Sequence, residues 1–314
     1  MPIKTTVKAT ICPNFGMVEF FNAKAWLNEI IFSTQFRTMK KLLFSLGLFC
    51  CISSFCQTDL VLSKDSPASF EELQLNSAGS LLQGFMYKAN GSKPHPTLLL
   101  LHGYPGNERN LDLAQAVRAH GWNVIYFNYR GSWGSQGEFS FRHCVEDVKN
   151  IIAWCRQQSA KLQIDMNNMV LFGHSMGGFV CLKALAENPE IKKGFALSTW
   201  NLYADVLNHS RNNKLGEMEK EADAYFVLHK NSGKDLYEQV MKDPAYYNLS
   251  NTASRLSNKQ LVMLDEHRLN EQLAKTIRTA NHAYFDYQVW PTDHPFTNKR
   301  GSLIKKVIEF LDRP

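Results

Sequence analysis

The stretch NMVLFGHSMGGFVCLKALA, residues 168–186, decides the fold of this chain. Its first five residues form an apolar run typical of a buried strand, and the residues from Phe179 onward favour a helix. Between the two lies a glycine-rich turn with Ser175 at its tip. Because Gly173 and Gly177 lack a Cβ, the strand and the helix can approach each other closely around this turn. A serine exposed on such a junction is typical of a catalytic nucleophile, and we expect Ser175 to have that role.

Around this junction, short apolar runs alternate with helical patterns. The sequence predicts strands at residues 81–87, 96–101, 123–127, 168–172, 194–199, 260–264 and 284–290, and helices at 108–120, 141–158, 176–188 and 298–311. The run at 96–101 is almost continuously apolar, as in a parallel strand covered on both faces. The alternation predicts the α/β class, with a mostly parallel, twisted sheet and helices on both of its faces.

One long connection interrupts this alternation. Residues 200–258 lie between two predicted strands, are rich in charge, and favour helices at 214–230 and 234–242. Connections of this length without a strand are usually functional. We therefore expect a helical lid inserted over the catalytic serine.

The distribution of charge excludes one class of partner. Residues 1–56 contain six Lys/Arg and two Asp/Glu, whereas residues 57–314 contain 29 and 27. Since the larger part of the chain carries no basic block, we expect no nucleic acid partner. Only Cys144, Cys155 and Cys181 lie beyond residue 56, and no cysteines and histidines have the spacing of a zinc site, so we expect no metal.

The chain also carries a targeting pattern near its beginning. Met39 and two lysines precede an apolar run that ends at Phe55, and small residues lie at the two positions that a signal peptidase reads. We predict a signal peptide at residues 39–56 and a secreted or periplasmic protein, with no membrane partner beyond that peptide. The folded domain is then residues 57–314, and residues 1–38 are an artefactual extension upstream of the true start.

A serine hydroxyl becomes a strong nucleophile only when a base removes its proton. In proteins with this junction the base is a histidine that follows the last strand. His294 lies between the last predicted strand and the final helix. His282 is the competing candidate, but it precedes the strand and would face the wrong edge of the sheet.

An acid must hold the histidine in the correct tautomer and stabilise its cation. We expect this acid directly after the penultimate strand, where Asp265 and Glu266 follow one another. We select Asp265 and keep Glu266 as the alternative. Asp205, after the preceding strand, is a more distant alternative. Asp293 is adjacent to the histidine in sequence and is expected to be structural.

The developing oxyanion needs backbone N–H donors. We expect one from Met176, the residue after the nucleophile. The second should come from the loop after an early strand, where His102, Gly103, Tyr104 and Pro105 follow one another. Tyr104 is the natural donor because Pro105 has no N–H.

These motifs together resemble the α/β-hydrolase superfamily. The segment YRGSWGSQG at 129–137 and the ending DHPF at 293–296 are most similar to prolyl oligopeptidase-like and dienelactone hydrolase-like serine hydrolases. The resemblance covers roughly residues 80–312. It implies an α/β-hydrolase fold and acyl-enzyme chemistry, with neither a metal nor an organic cofactor.

The chain departs from that pattern in two places. The usual Gly-x-x-Asp turn after the penultimate strand is absent, which leaves the choice of acid open. The propeller domain of prolyl oligopeptidases is also absent, because only about twenty-five residues separate Gln57 from the first predicted strand. A small-molecule substrate is therefore favoured.

The sequence thus predicts a serine hydrolase that cleaves a carboxylic ester or an amide. One alternative is a peptidase acting on short peptides, in which an acidic pair from the lid, drawn from Glu217, Glu219, Glu221 and Asp223, would bind the free amino terminus. An acyltransferase and a non-catalytic binding protein are further alternatives. The substrate and the oligomeric state stay open.

Overall fold

The structure, a computed structural model, describes residues 60–314. The signal peptide predicted at 39–56 and the extension predicted at 1–38 lie outside the described residues, so export stays a prediction. Over the described range, no helix combines the length and the apolar character needed to cross a bilayer.

A single eight-stranded sheet forms the centre of the described chain. Its strands are β1 (Ser69–Ser77), β2 (Ser80–Lys88), β3 (His95–Leu101), β4 (Asn123–Phe127), β5 (Ile164–His174), β6 (Lys193–Leu197), β7 (Gln260–Asp265) and β8 (Tyr284–Val289). They are arranged in the order β1-β2-β4-β3-β5-β6-β7-β8. The pairs β1–β2 and β2–β4 are antiparallel, and all other neighbours are parallel. The carboxyl ends of the six parallel strands therefore meet at one edge, which is where open α/β sheets bind their ligands.

Within residues 60–314, nine α-helices connect and cover these strands. They are α1 (Leu111–Ala119), α2 (Phe141–Leu162), α3 (Met176–Glu187), α4 (Leu202–Arg211), α5 (Leu215–Ala224), α6 (Gly233–Lys242), α7 (Pro244–Tyr247), α8 (Glu271–Ala280) and α9 (Arg300–Leu311). In the part of the chain that the structure describes, one 3₁₀ helix follows α7 at Leu249–Leu256 and another precedes α9 at Thr297–Lys299.

The core lies on both faces of the sheet, as the continuous apolar character of β3 indicates. Leu99 and Leu101 belong to the apolar cluster that α2 and α3 cover. Leu98 and Leu100 belong to the opposite cluster, which α1 and α9 cover. All four leucines are buried. Since successive side chains of a strand point to opposite faces, the leucine run of β3 supplies apolar side chains to both clusters.

The predicted α/β class and mostly parallel sheet are confirmed, and every predicted strand is present, β4 with the predicted bounds and the others with shifted ends. The strand β1 and the helix α8 were not predicted. In β1 only the short alternation of Leu73, Leu75 and the buried Ser77 marks the inner face. In α8 the apolar stripe consists of only Leu273, Ala274 and Ile277. Patterns this short are hard to separate from loop sequence.

The long insertion after β6 folds into α4 to α7 and a 3₁₀ helix. The helix predicted at 214–230 ends at Ala224, and the chain beyond it pairs with the loop that follows β4. The N–H of Trp133 donates to the carbonyl of Val227 at 2.9 Å, and the N–H of His229 donates to that of Gly131 at 2.7 Å. These backbone bonds anchor the insertion to the sheet domain, while its role as a lid over the serine stays a prediction.

Candidate active site

Ser175 lies between the carboxyl end of β5 and the first residue of α3. Its backbone has φ 60° and ψ −118°, a conformation that residues with a side chain rarely adopt and that costs of order 1–3 kcal/mol. Neighbouring strands hold it there, because its N–H donates to the carbonyl of Leu197 at 2.9 Å and its carbonyl accepts from the N–H of Trp200 at 3.0 Å. The turn thereby presents the hydroxyl at the edge of the sheet, as the sequence predicts.

The two glycines of this turn are required by close backbone approach. A Cβ on Gly173 would lie 1.9 Å from the carbonyl oxygen of Gly177, and a Cβ on Gly177 would lie 2.1 Å from that of Leu101. Neither position has room for a side chain, because the obstructing atoms belong to the backbone. The pattern Gly-x-Ser-x-Gly thus reflects the packing of α3 against β3 and β5.

The loop after β3 passes directly beside the nucleophile. A Cβ on Gly103 would lie 3.2 Å from Cβ of Ser175, so the backbone at Gly103 and Tyr104 lies next to the serine. Within residues 60–314, the N–H groups of Tyr104 and Met176 donate to no backbone carbonyl. Met176 is the first residue of α3, where the helix dipole favours negative charge. Both N–H groups are suitable donors for an oxyanion hole, and that role stays a prediction.

His294 lies on the loop between β8 and α9 and is paired with Glu266. Its Nδ1 lies 2.8 Å from Oε1 of Glu266, and because a carboxylate can only accept, Nδ1 carries the proton. The other ring nitrogen, Nε2, is then free to act as a base. The side chain of Glu266 is 11% exposed and that of His294 is 53% exposed, so the pair connects the protein interior with the open cavity.

The charge of Glu266 is maintained by its hydrogen bonds. Burial alone would raise the pKa of this carboxyl, but bonds from His294 and from the Ser198 hydroxyl outweigh it and lower the pKa to about 2. Glu266 is therefore ionised at neutral pH and can stabilise an imidazolium on His294. Ser198, at the carboxyl end of β6, is a site residue that the sequence analysis missed, since a lone serine after a strand carries no recognisable signal.

The expectation that Asp265 contacts the histidine is wrong, because the alternative acid Glu266 makes that contact. Asp265 is the last residue of β7 and is fully buried. One of its carboxylate oxygens accepts from the N–H of Thr199 at 3.2 Å, and the other accepts from Nδ2 of Asn270 at 3.1 Å. Its side chain therefore joins two loops beneath the site and does not reach the cavity.

Ser175 and His294 line the same cavity, which has a volume of about 580 Å³. In this structure the serine hydroxyl and the histidine ring, both described residues, form no direct hydrogen bond. Such bonds often tighten only in the complex with substrate. The neighbouring His267 also faces Glu266, with Nε2 at 3.6 Å from Oε1, and lines the cavity.

The cavity walls combine aromatic and acidic side chains. The lining residues, drawn from the sheet edge, the loops and the helices α4 to α6, are Tyr104, Ser175, Ser198, Thr199, Trp200, Asn201, Ala204, Asp205, Asn208, His209, Met218, Glu221, Tyr225, Tyr237, His267, Leu269, Asn270 and His294. Two of them, Asp205 and Glu221, are acids. Among residues 60–314, no Lys or Arg lines this cavity, so its walls disfavour an anionic substrate.

Asp205, His282 and Asp293 are the other candidates for the acid and the base, and each has a different place in the structure. Asp205 accepts from the indole N–H of Trp200 at 2.8 Å and does not contact His294. The N–H of His282 donates to the carbonyl of Ser257, at the opposite edge of the sheet from the nucleophile. Asp293, as expected, is structural, since its carboxylate accepts from the N–H of Thr297 at 2.6 Å.

The comparisons with known proteins agree with this geometry at the level of the fold. The family model described as the alpha/beta hydrolase fold matches residues 96–284. An esterase of Pyrococcus furiosus, Pf2001, superimposes with a TM-score of 0.58 at 19% identity, over 81% of this chain and 98% of that one. Est1E of Butyrivibrio proteoclasticus gives a TM-score of 0.56 at 12% identity, over 77% and 97% of the two chains.

Curated relatives match over shorter regions. An uncharacterised 31.7 kDa protein of the Escherichia coli traX-finO intergenic region is 29% identical over 163 residues, which is 48% of this chain and 54% of that protein. The lysophosphatidylserine lipase ABHD12 of Danio rerio is 29% identical over 94 residues, or 29% and 23% of the two chains. The chain thus spans about half the length, or less, of these curated relatives.

The buried Asp265 predicts a pH dependence of stability. Burial raises the pKa of this carboxyl to about 6 despite bonds from Asn270 and Thr199, so the folded state resists its ionisation. The contribution of Asp265 to the free energy of unfolding therefore falls as pH rises from about 4 to about 6. Asp265→Asn lacks this ionisation. The free energy of unfolding of the variant minus that of wild type should therefore rise by roughly 2–3 kcal/mol over that interval, measured by urea denaturation.

Asp293→Asn provides the control. Hydrogen bonds from Thr297 lower the pKa of the exposed Asp293 carboxyl, so its removal should give a dependence of the opposite sign. A difference between Asp265→Asn and wild type that does not change with pH would contradict the assignment of Asp265 as a buried carboxyl with a raised pKa.

Proposed function

The chain belongs to the α/β-hydrolase fold family, and from that premise we propose that it is a serine hydrolase that cleaves a carboxylic ester or an amide. The observation that carries this proposal is the hydrogen bond between Nδ1 of His294 and Glu266 at the wall of a cavity that Ser175 also lines. A buried carboxylate, a histidine and a serine on a strained turn are the three groups that acyl transfer requires.

In the proposed mechanism, Ser175 attacks the substrate carbonyl while Nε2 of His294 takes the hydroxyl proton. The bond from Nδ1 to Glu266 fixes the tautomer and stabilises the imidazolium that forms. The N–H groups of Tyr104 and Met176 hold the negative oxygen of the tetrahedral intermediate. The imidazolium then gives its proton to the leaving alcohol or amine, and an acyl ester remains on Ser175.

Water completes the cycle by the same chemistry in reverse. His294 takes a proton from a water molecule as that water attacks the acyl carbonyl, and returns it to Ser175 as the carboxylic acid leaves. The ester is favoured as substrate because the solved structures that resemble this chain include esterases. The aromatic walls and the absence of Lys and Arg from the cavity lining within residues 60–314 favour a neutral or cationic substrate of small size.

A kinetic comparison of three variants tests the proposed triad. With p-nitrophenyl acyl esters, Ser175→Ala should lose on the order of 10⁴-fold or more in kcat. Glu266→Gln should lose about 10³- to 10⁴-fold, because the amide favours the wrong tautomer of His294. Asp265→Asn, the neighbour in sequence, should stay within about 10-fold of wild type, since that carboxyl does not contact the histidine.

Labelling with a fluorophosphonate probe gives a second measurement on the same proteins. The probe should label wild type and Asp265→Asn and should not label Ser175→Ala. If esters and anilides are both left intact by wild type and no label is incorporated, the serine hydrolase proposal fails. If Asp265→Asn loses more activity than Glu266→Gln, the choice of acid is wrong.

A peptidase is the second candidate function, because two carboxylates line the cavity. Asp205, on α4, accepts from the indole of Trp200 and lies 3.1 Å from Nδ1 of His209, and Glu221, on α5, accepts from the hydroxyl of Tyr225. A substrate with a free ammonium group would find in them an opposite charge that no lining Lys or Arg of residues 60–314 neutralises.

Paired substrates decide between the two functions. If the carboxylates bind an ammonium group, Asp205→Asn combined with Glu221→Gln should lower kcat/KM for leucine p-nitroanilide about 10-fold, corresponding to roughly 1.4 kcal/mol of attraction. The N-acetylated analogue should not change. Glu217→Gln is the matched control, because Glu217 lies on the same helix α5 and does not line the cavity. Equal losses on both substrates would contradict recognition of the ammonium group.

A further inference from the structure

A line of hydrogen bonds runs beneath the loop that carries His294. Nη1 of Arg300 donates to Oδ1 of Asn110 at 3.0 Å. Nδ2 of Asn110 lies 3.3 Å from Nδ1 of His174, and Nε2 of His174 lies 3.0 Å from the carbonyl oxygen of His294. These residues come from the start of α1, the end of β5, the loop after β8 and the start of α9, so the line joins four elements that are distant in sequence.

The direction of every bond in this line follows from Arg300. A guanidinium can only donate, so the atom of Asn110 that faces it must be the carbonyl oxygen. The amide nitrogen of Asn110 then faces His174 and must donate to Nδ1. A neutral imidazole that accepts at Nδ1 carries its proton on Nε2. His174 is thereby fixed in the one tautomer that can donate to the carbonyl of His294.

Two consecutive carbonyls of the loop accept hydrogen bonds from this line of residues. Besides the bond from His174 to the carbonyl of His294, Nη1 of Arg300 donates to the carbonyl of Pro295 at 3.1 Å. Arg300 is itself fixed, because its Nε donates to the Asp112 carboxylate at 2.8 Å. His174 and Asn110 are each only 2% exposed, so water does not compete for these bonds.

His174 also packs against the ring of His294. The two ring centroids lie 4.8 Å apart, with an angle of 33° between the ring planes. Burial and the nearby His294 lower the pKa of His174 to about 4, and Glu266 and Arg300 also face it. His174 therefore stays neutral at the pH at which His294 works, and presents no positive charge to an imidazolium forming above it.

We propose that His174 is a positioning residue for His294, acting through the bond from its Nε2–H to the His294 carbonyl and oriented by Asn110 and Arg300. The inference rests on the proposed function, since it assigns the means by which the base is kept in place beside the nucleophile. Because His174 directly precedes Ser175 in the chain, one backbone segment fixes both the nucleophile and the base. A displacement of about 1 Å between such groups can cost about 100-fold in rate.

Two variants of His174 separate the donor from the ring. In His174→Gln, the side-chain amide nitrogen lies where Nε2 of the histidine lies and can still donate to the His294 carbonyl. In His174→Asn, the shorter side chain can still meet Asn110 but cannot reach the loop. Both replacements remove the ring, so a difference between them reports the bond to the loop.

The first measurement on these variants is ester hydrolysis with p-nitrophenyl acetate. We expect His174→Asn to lose about 10- to 100-fold in kcat with KM changed less than about 3-fold. We expect His174→Gln to recover most of that loss and to lie within about 5-fold of wild type. Asn123→Ser is the control for general loss of stability, because Asn123 is fully buried and hydrogen-bonded at the opposite end of the sheet.

The second measurement does not depend on activity. Hydrogen–deuterium exchange of peptides that cover residues 290–298 should be about 10-fold faster in His174→Asn than in wild type, and unchanged in His174→Gln and Asn123→Ser. If the Asn and Gln variants behave alike in exchange and in kcat, the proposed role of the bond is overturned. If wild type itself turns over no ester, the serine hydrolase proposal fails, and the exchange of this loop still decides whether His174 holds it.

Discussion

The strained, positive-φ backbone of Ser175 is the constraint on which the rest of the structure depends. This conformation is unfavourable for a residue with a side chain, and it persists because β5, β6 and the start of α3 hold the turn from several sides. Gly173 and Gly177 permit that packing, since no side chain fits at either position. The carboxyl ends of the parallel strands then bring the base, the acid and the oxyanion loop to the same edge of the sheet.

Asp265 and Glu266 are adjacent carboxylates, and their different surroundings give them different roles. Asp265 still belongs to β7, is buried among backbone and amide donors, and has a raised pKa. Glu266 lies one residue beyond the strand, reaches His294 and Ser198, and has a lowered pKa. A single residue along the chain therefore separates a carboxyl that joins loops in the interior from one that stabilises a cation at the cavity. Environment assigns the two roles, because the chemical groups are the same.

This pair also shows how far the sequence alone could go. The strand–turn–helix around Ser175 and the histidine after the last strand are local signals, and the fold and the placement of Ser175 and His294 at one cavity followed from them. The choice between Asp265 and Glu266 depended on where β7 ends, which was predicted one residue too early. Since successive residues of a strand point to opposite sides, an error of one residue exchanges the two acids.

Other parts of the site have no local signal. His174 lies 64 residues after Asn110 in the chain, and Arg300 lies 190 residues after it. Only the finished fold brings the three side chains together. Ser198 is likewise an ordinary serine until β6 and β7 become neighbours. The acidic residues of the insertion could be named from the sequence, but only the packing of α4 and α5 selects Asp205 and Glu221 as those that line the cavity.

The central claim is that Glu266 holds the proton on Nδ1 of His294, and proton NMR of this imidazole tests it most directly. A strong bond to a carboxylate shifts the Nδ1–H resonance far downfield and slows its exchange with water, and His294→Ala would assign the signal. The account predicts this resonance in wild type and in Asp265→Asn, and its loss in Glu266→Gln. A resonance that persists in Glu266→Gln, or that vanishes in Asp265→Asn, would contradict the account.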